Sequence, residues 1–590
     1  MPCAFRRKRP KPLDKRSGCQ FGEHEANLQE FNGKSWCQFH LPYNAKKDWS
    51  DRQNADLNHR LESLLKRQAR QNYPFDLSGV ITLLPLLLHQ IDRMGELAII
   101  CVSGEFRGGV DFGVVKYHHG MHFHQTKFYG PVKWEGGGQV HDAVFTKCLF
   151  YSDVNCEELQ FTDKANFSNS KFKGQVIFSK TKWTEAIFEE VEFNGPVSFS
   201  EAEASESISF IKSRFEMIAQ FENIKIDGNS KFSSVEFMGP VSFANAEIPS
   251  TMSARSGERE THFNDAIFQD EAVFSHTSFA GTVRFLRAVF SQEADFFNSQ
   301  MMGHSVFREV TFKGASNFNN AYFSKNGNFI EANFEGDASF DNARFGDILN
   351  FKEAKFEGNA SFNTEMIGAN TPTSDQGGSF KIVWFSRVRF GGTAIFSNRI
   401  FQNETSFYGT TFTLAPKFHG CRLYQDTDFS GTNFIERNSY SALLAYRTLK
   451  LFMGDAKARD DEARFNALEQ ETRRNLPDTP VSVKTLSWLY EVASNYGQSA
   501  IRPVSWFFAI NLAFLALYFF YPMCLGIDDP ASSGQIISFM VRQIVRPFTV
   551  FWPDSETNIW IAFAASIQSI FSLSLIGLFI LAVRWRFRRG

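Results

Sequence analysis

Phenylalanine recurs along this chain at steps that alternate between five and six residues. In FEGDASFDNARF (334–345) the steps run six from Phe334 to Phe340 and five from Phe340 to Phe345. Neither the 3.6-residue period of a helix nor the two-residue period of a strand produces that beat. It continues back through Phe329, Phe323, Phe318, Phe312 and Phe307 to Phe263, and forward through Phe351, Phe356, Phe362 and Ile367. Upstream it runs from Cys101 to Ile248, with one slip to five-residue steps at Phe188 and Phe193. It is lost after Ile367, returns at Phe385 and ends at Phe434. The underlying repeat is eleven residues with two large apolar positions, held from about residue 100 to 435. A fixed period over so many copies predicts a repeat architecture. It also accounts for most of the 67 Phe in 590 residues.

Two companion positions sharpen the expectation. The residue two before each Phe is usually small, as at Ala266, Ala288, Ala332, Ala338, Ala343, Ala354 and Ala360. In extended chain, residues i and i−2 share a face, so Phe and Ala both point inward. Two after a Phe that opens a six-residue step, Gly recurs, as at Gly303, Gly314, Gly336 and Gly358. An extra residue plus Gly predicts a bulge at positive φ. Alternate sides of five and six residues give a coil of about 22, with Phe334, Phe340, Phe345, Phe351, Phe356 and Phe362 in its core.

This pattern resembles the pentapeptide-repeat family, in its Phe-centred variant. The resemblance implies a mainly β fold, a right-handed quadrilateral β-helix (solenoid) over residues 71–435. The chain departs from the strict five-residue period by its alternating six. The beat breaks at 249–262 (PSTMSARSGERETH) and 368–384 (GANTPTSDQGGSFKIVW), where Gly, Ser, Thr and Pro predict loop insertions.

Residues 1–70 precede the solenoid. FRRKRPKPLDKR is basic, contains Pro and lacks the apolar core of a secretory signal, so it reads as a solvated tail. Cys19, His24, Cys37 and His40 form C-x4-H-x12-C-x2-H, a spacing at which thiolates and imidazoles can close a tetrahedral zinc site. Unrelated Cys and His fit the same letters. WCQFHLPYNAKKDW resembles a Cys-x-x-His segment ahead of some pentapeptide-repeat domains, which implies a structural zinc. DRQNADLNHRLESLLKRQAR (51–70) places Leu57, Leu61, Leu64 and Leu65 on one helical face, a helix that caps the open solenoid end. FDLSGV (75–80) opens the first coil, and VITLLPLLLHQI (80–91) reads as buried cap core, too short to span a bilayer. In YHHGMHFHQ, His122 and His124 point outward, and His118 and His119 sit on the preceding side, so the four diverge as solvated histidines. The eight Cys show no disulfide-scaffold spacing, which suits a reducing compartment.

After Phe434 the period becomes helical. Residues 436–500 read as an amphipathic helical linker, and 501–590 as a two-span transmembrane module. VSWFFAINLAFLALYFFY (504–521) and IWIAFAASIQSIFSLSLIGLFILAV (559–583) are uncharged and long enough to cross. Arg502 before the first span and RWRFRRG after the second put both termini and the solenoid in the cytoplasm by the positive-inside rule. This predicts a multi-pass protein of the cell (inner) membrane. SNYGQSAIRPVSW (494–506) resembles the linker that joins Phe-type repeats to such modules in membrane-anchored bacterial pentapeptide-repeat proteins. Between the spans, 536–554 reads as a re-entrant-like segment, with 536–548 a short helix. TVFWPD then resembles the T-V-G-Y-G-D filter of potassium channels. Thr549, Val550, the aromatic Trp552 and Asp554 match, while Phe551 and Pro553 replace both glycines. A vestigial pore, an unrelated amphipathic segment and a working channel all remain open.

No phosphate-binding Gly loop, nucleophile elbow or acid pair in a pocket is legible, and a Phe-filled solenoid offers no cleft, so the chain reads as no enzyme. The primary expectation is a membrane-anchored scaffold that presents a cytosolic surface to an unidentified protein partner, with homo-oligomers formed through the membrane module. The alternative is an oligomeric ion-channel-like protein with the solenoid as regulatory domain. Soluble pentapeptide-repeat proteins that protect DNA gyrase by mimicking DNA offer a third, weaker reading. The solenoid is only about ten charges negative over its length, which together with the membrane anchor disfavours it, and no nucleic acid is expected.

Overall fold

The structure is a computed structural model that describes residues 4–5, 19, 21, 28–91, 93–134, 136–248, 260–364, 378–520, 533–545 and 559–587. The chain divides into two compact units, Met1–Thr411 with Ser430–Thr432, and Phe412–Phe429 with Asn433–Gly590.

The first unit carries a four-sided β-solenoid of parallel strands. One coil takes its sides from Asn333–Phe334, Ala338–Ser339, Arg344–Phe345 and Ile348–Asn350. Phe334 then pairs with Phe356 and Ala338 with Ala360, a rise of one coil per 22 residues. One wall is a parallel 14-stranded sheet, and two adjoining walls merge into a 23-stranded one. Strands of two or three residues persist because each amide bonds to the next coil rather than within its own. Lys355 N donates to Ala332 O and Glu357 N to Phe334 O, both at 2.8 Å.

The interior is aromatic. Phe340 lies flat between Phe318 and Phe362, with ring centroids 4.8 and 5.0 Å away. It also meets Phe329 and Phe351 edge-on at 5.6 and 5.5 Å. Stacked contacts along a wall and edge-to-face contacts between walls each add about 0.5–1.5 kcal/mol beyond area burial. The small residue two before each Phe leaves room for this packing: Ala332, Ala338, Ala343, Ala354 and Ala360 are all buried.

The glycines do a different job from the expected one. Gly336 and Gly358 are not at positive φ. A Cβ on Gly336 would lie 2.5 Å from Gly314 O, and one on Gly358 would lie 2.6 Å from Gly336 O. At these two glycines the six-residue corner brings successive coils too close for a Cβ. Positive φ falls instead in the five-residue steps, two after Phe, at Asn320, Glu331, Asn342 and Glu353 (58°, 58°, 57° and 62°). There Ala343 N closes a four-residue turn onto Phe340 O, a turn whose third residue needs the left-handed region.

The loop expectations are also corrected. Residues 249–259 and 365–377, including Ile367, lie outside the described residues, but both predicted loops end too late. Glu260–His262 is a wall strand paired to Thr282–Arg284. Ser379–Phe380 and Ile382–Trp384 are strands as well. Phe380 lies over Phe345 at 5.4 Å and takes the ladder place that the beat assigned to Ile367. The 80–91 run is not a separate cap, because Ile81–Thr82 and Leu86–Leu87 are sides of the first coil, paired to Glu105–Phe106 and Val110–Asp111.

Helix α1 (Tyr43–Lys46) and helix α2 (Asp51–Arg70) precede that coil. A Ser50–Gln53 capping box starts α2, which buries Leu57, Leu61 and Leu65, while Leu64 is half-buried. Asn58 Nδ2 donates to Pro85 O at 2.9 Å, tying α2 to the first coil as a terminal cap.

In the second unit, α3 (Tyr440–Asp455) and α4 (Arg459–Asn475) form a hairpin over the end of a Phe ladder. Phe434 stacks on Phe412 at 5.3 Å and is met edge-on by Tyr446 of α3 and Phe465 of α4. The carboxylate of Glu469 on α4 bonds Arg447 and Lys450 of α3. Then follow α5 (Val481–Ser494), α6 (Ile501–Phe520), α7 (Ser533–Val545) and α8 (Ile559–Phe587).

Candidate metal centre and membrane module

Cys37 and His40 sit in one tight turn, where His40 N and Leu41 N both donate to Cys37 O at 3.1 and 3.0 Å. That turn holds Cys37 Sγ 3.2 Å from His40 Nδ1. Cys19 Sγ approaches Cys37 Sγ at 3.7 Å. This is too long for a disulfide and matches the roughly 3.8 Å edge of a tetrahedron with Zn–S near 2.3 Å. All three donor atoms lie within 4.8 Å of one another. His40 Nε2 meets Ser78 O at 2.9 Å, and a proton held there would make Nδ1, which faces Cys37 Sγ, the ligating atom. The donor set fits a soft divalent metal. The fourth predicted donor, His24, lies outside the described residues.

Lys46 was not singled out in the sequence. It is fully buried beside this cluster and donates to Ile81 O at 2.8 Å and Phe39 O at 3.3 Å. Burial pushes its pKa down to about 7, and the nearby Cys37 opposes the shift. Its identity carried no signal, because a lysine in a KK pair reads as solvated. The four histidines diverge as expected. His118 and His119 are exposed, His122 lies 3.4 Å from Asp142, and His124 Nδ1 lies 2.9 Å from Thr146 Oγ1. Among the described residues, the Cys19–Cys37–His40 group is the one cluster with metal-ligand geometry.

The predicted core residues Phe334, Phe340, Phe351, Phe356 and Phe362 are fully buried, and Phe345 nearly so. The interior also contains Arg399, at a position where the repeat usually has a small residue. It is fully buried and donates to the carbonyls of Phe340 and Ala343 at 2.8 and 2.7 Å, and to Phe362 O. One turn earlier, Ala321 O takes the amide 23 residues on, that of Arg344. At Ala343 the Arg399 guanidinium takes the carbonyl.

Among the described residues two helices are long and apolar enough to cross a membrane, Ile501–Phe520 and Ala562–Arg584, with mean hydropathy 1.7 and 2.1. Their buried side carries a polar network among Ala565, Leu575 and Ala582. Asn511 Nδ2 donates to Ser572 Oγ at 3.1 Å, Gln568 Nε2 to Asn511 Oδ1 at 2.8 Å, and Tyr518 OH to Gln568 Oε1 at 2.9 Å. These pairings run in opposite directions along the two helices, so α6 and α8 are antiparallel. Helix α7 joins them through Ser569 Oγ, which donates to Gln543 O at 3.1 Å, and through Phe539 against Tyr518. The outward side is apolar: Phe508, Leu512, Phe520, Phe563, Leu573 and Ile580 are exposed. The short helix expected at 536–548 appears as α7, begins at Ser533 and is described to Val545. The filter-like residues Thr549, Val550, Phe551, Trp552, Pro553 and Asp554 lie outside the described residues.

Comparison with curated proteins and with solved structures finds no match to this chain. Residues 157–203, 274–321 and 318–364 match the family model described as pentapeptide repeats (9 copies), all three within the solenoid. These matched residues of the solenoid are pentapeptide repeats.

Proposed function

We propose that the protein is a non-enzymatic, membrane-anchored scaffold whose solenoid offers a protein partner a long cytosolic surface. The observation that carries this reading is the inverted polarity of α6 and α8. A soluble core helix hides its apolar side, whereas these two hide Asn511, Tyr518, Gln568 and Ser572 and expose Phe and Leu. That arrangement is stable where lipid replaces water. The stacked Phe ladders leave the described solenoid interior without a cleft for a substrate. Its outward faces pair opposite charges between coils, as in Lys127–Glu105 and Lys182–Glu203, each at 3.0 Å. Such a mixed surface suits a protein partner better than mimicry of a uniformly anionic polymer. Membrane fractionation of the full chain tests the anchor, and protease protection in sealed vesicles tests the side. Alkaline-extractable protein, or a solenoid protected inside inverted vesicles, would reject the reading.

The Cys19–Cys37–His40 group is proposed to hold a structural zinc, with His24 as the fourth donor. The ion would bind the N-terminal segment to the first coil, because His40 also meets Ser78 of that coil.

A second reading is favoured by α7, a short helix packed on both candidate spans, which is the arrangement of a two-span channel subunit. It makes the protein an oligomeric ion-channel-like assembly with the solenoid as regulator. Mass measurement in detergent separates the two: a tetramer supports the channel lineage, and a monomer removes it.

A further inference from the structure

We propose that α5 is a membrane-interface helix, its apolar face seated in the lipid headgroup layer next to α6. This rests on the membrane reading of α6 and α8. In water a helix turns its apolar side to protein and its polar side to solvent. Helix α5 does the reverse. Val481, Leu486, Trp488 and Leu489 are 79%, 69%, 53% and 49% exposed. At 100° per residue these four fall within an arc of about 160°. The opposite side carries Ser487, Glu491 and Ser494, and it faces protein. Ser487 Oγ lies 3.0 Å from Tyr496 OH, Glu491 bonds Arg474 of α4, and Ser494 is buried.

The neighbouring helix specifies what covers the apolar side. Only six residues, 495–500, separate α5 from α6. Asn495, Tyr496 and Gly497 turn the chain there, at φ of 50°, 54° and 86°. The first turns of α6 then clamp the end of α5, with Trp506 Nε1 donating to Val492 O at 3.1 Å and Arg502 Nη1 to Glu491 O at 3.2 Å. A helix pinned to the start of a membrane span must lie at the membrane boundary. Its 14 residues make about 21 Å, too short to cross a hydrocarbon core of about 30 Å. Trp488 and Trp506 are the side chains that favour the headgroup level, with an apolar ring and a polar edge.

Photo-crosslinking tests this in the full-length protein reconstituted in vesicles of phosphatidylcholine and phosphatidylglycerol. A benzophenone amino acid is placed singly at Leu486, Leu489, Ser487 or Leu512. Leu512 lies on α6, is 67% exposed and reports on the span itself. Phospholipid adducts are expected at Leu486, Leu489 and Leu512, with several-fold less at Ser487. Adducts at Leu512 but not at Leu486 or Leu489 overturn the interface helix and leave the membrane reading intact. No adduct at Leu512 overturns both. A protein–protein adduct at Leu486 in place of lipid overturns the proposal in favour of a second copy on that face.

Discussion

Phe334 lies flat on Phe356, with ring centroids 4.5 Å apart and planes 3° from parallel. The two residues are one coil apart, and the backbone pairs them directly. Stacked coils here place large side chains on those of the coil below, and the repeat length and the core packing are one constraint. Changing one ring should disturb two neighbours and little else, since a solenoid couples only adjacent repeats.

Phe340→Ala should cost about 3–5 kcal/mol, the usual range for emptying a buried Phe site. Faster amide exchange should appear in the coils of Phe318 and Phe362, which sandwich this ring, and fade beyond them. Uniformly faster exchange along the solenoid would contradict nearest-neighbour coupling.

Gly336→Ala should destabilise by about 1–3 kcal/mol, because its methyl would meet Gly314 O at 2.5 Å and the coils would have to part. Lys212→Gly should do the opposite. Lys212 sits at φ 57°, where a side chain costs roughly 1 kcal/mol, so removing it should be neutral or stabilising by up to about that amount. Chemical denaturation of the two variants reads the contrast. Equal effects would mean the corners are not built as described.

Arg399→Met should destabilise by about 3 kcal/mol or more, since the guanidinium answers three buried carbonyls that Met cannot. Arg399→Lys should recover only part, because an ammonium lacks the planar fork. Thermal unfolding of both variants provides the measurement. Wild-type stability in the Met variant would show that the carbonyls need no donor.

How much of this was legible in the sequence follows from how often each feature repeats. The Phe ladder and its small partners recur many times, and they specified coil length and core. The left-handed corners recur as often but under changing identities: Asn320, Glu331 and Lys212 share a conformation and no side-chain chemistry. The repeated Gly drew the positive φ to itself, when its role was clearance between coils. Phe380 was hidden because an insertion shifts its number while leaving its place in space. Arg399 and Lys46 are single substitutions in a repeat and a turn, and only their surroundings make them structural. The Cys-x-x-His pair was visible, but its approach to Cys19 depends on the tertiary fold.

Purified protein should carry about one zinc per chain by elemental analysis, held by Cys19, Cys37 and His40. Cys37→Ser should abolish it and loosen residues 37–81, where His40 meets Ser78 and Phe39 O takes the Ile81 amide. A chelator should reproduce that loosening in the wild type. Metal-free protein with an unchanged proteolysis pattern would reduce the cluster to two thiols and an imidazole that merely pack together.

The last prediction concerns conduction. Gln568 links Asn511 and Tyr518 of the other candidate span, so Gln568→Leu removes two buried hydrogen bonds at once. Comparable bonds between membrane helices are worth about 0.6 kcal/mol on average and up to about 1.7. The variant should stay in the membrane fraction but unfold at a lower detergent concentration. The same network occupies the space between the two spans of one chain, so any pore would have to form between copies. There the segment after α7 would supply Phe551 and Pro553 where the resembling filter uses glycine. Proline has no amide hydrogen and a fixed φ, and carbonyls from such segments cannot form even rings in place of an ion's water shell. The wild type reconstituted in planar bilayers should therefore pass no potassium-selective current. Reproducible single-channel events that disappear on changing Thr549 or Trp552 would make the channel reading the correct one and the scaffold its regulatory half.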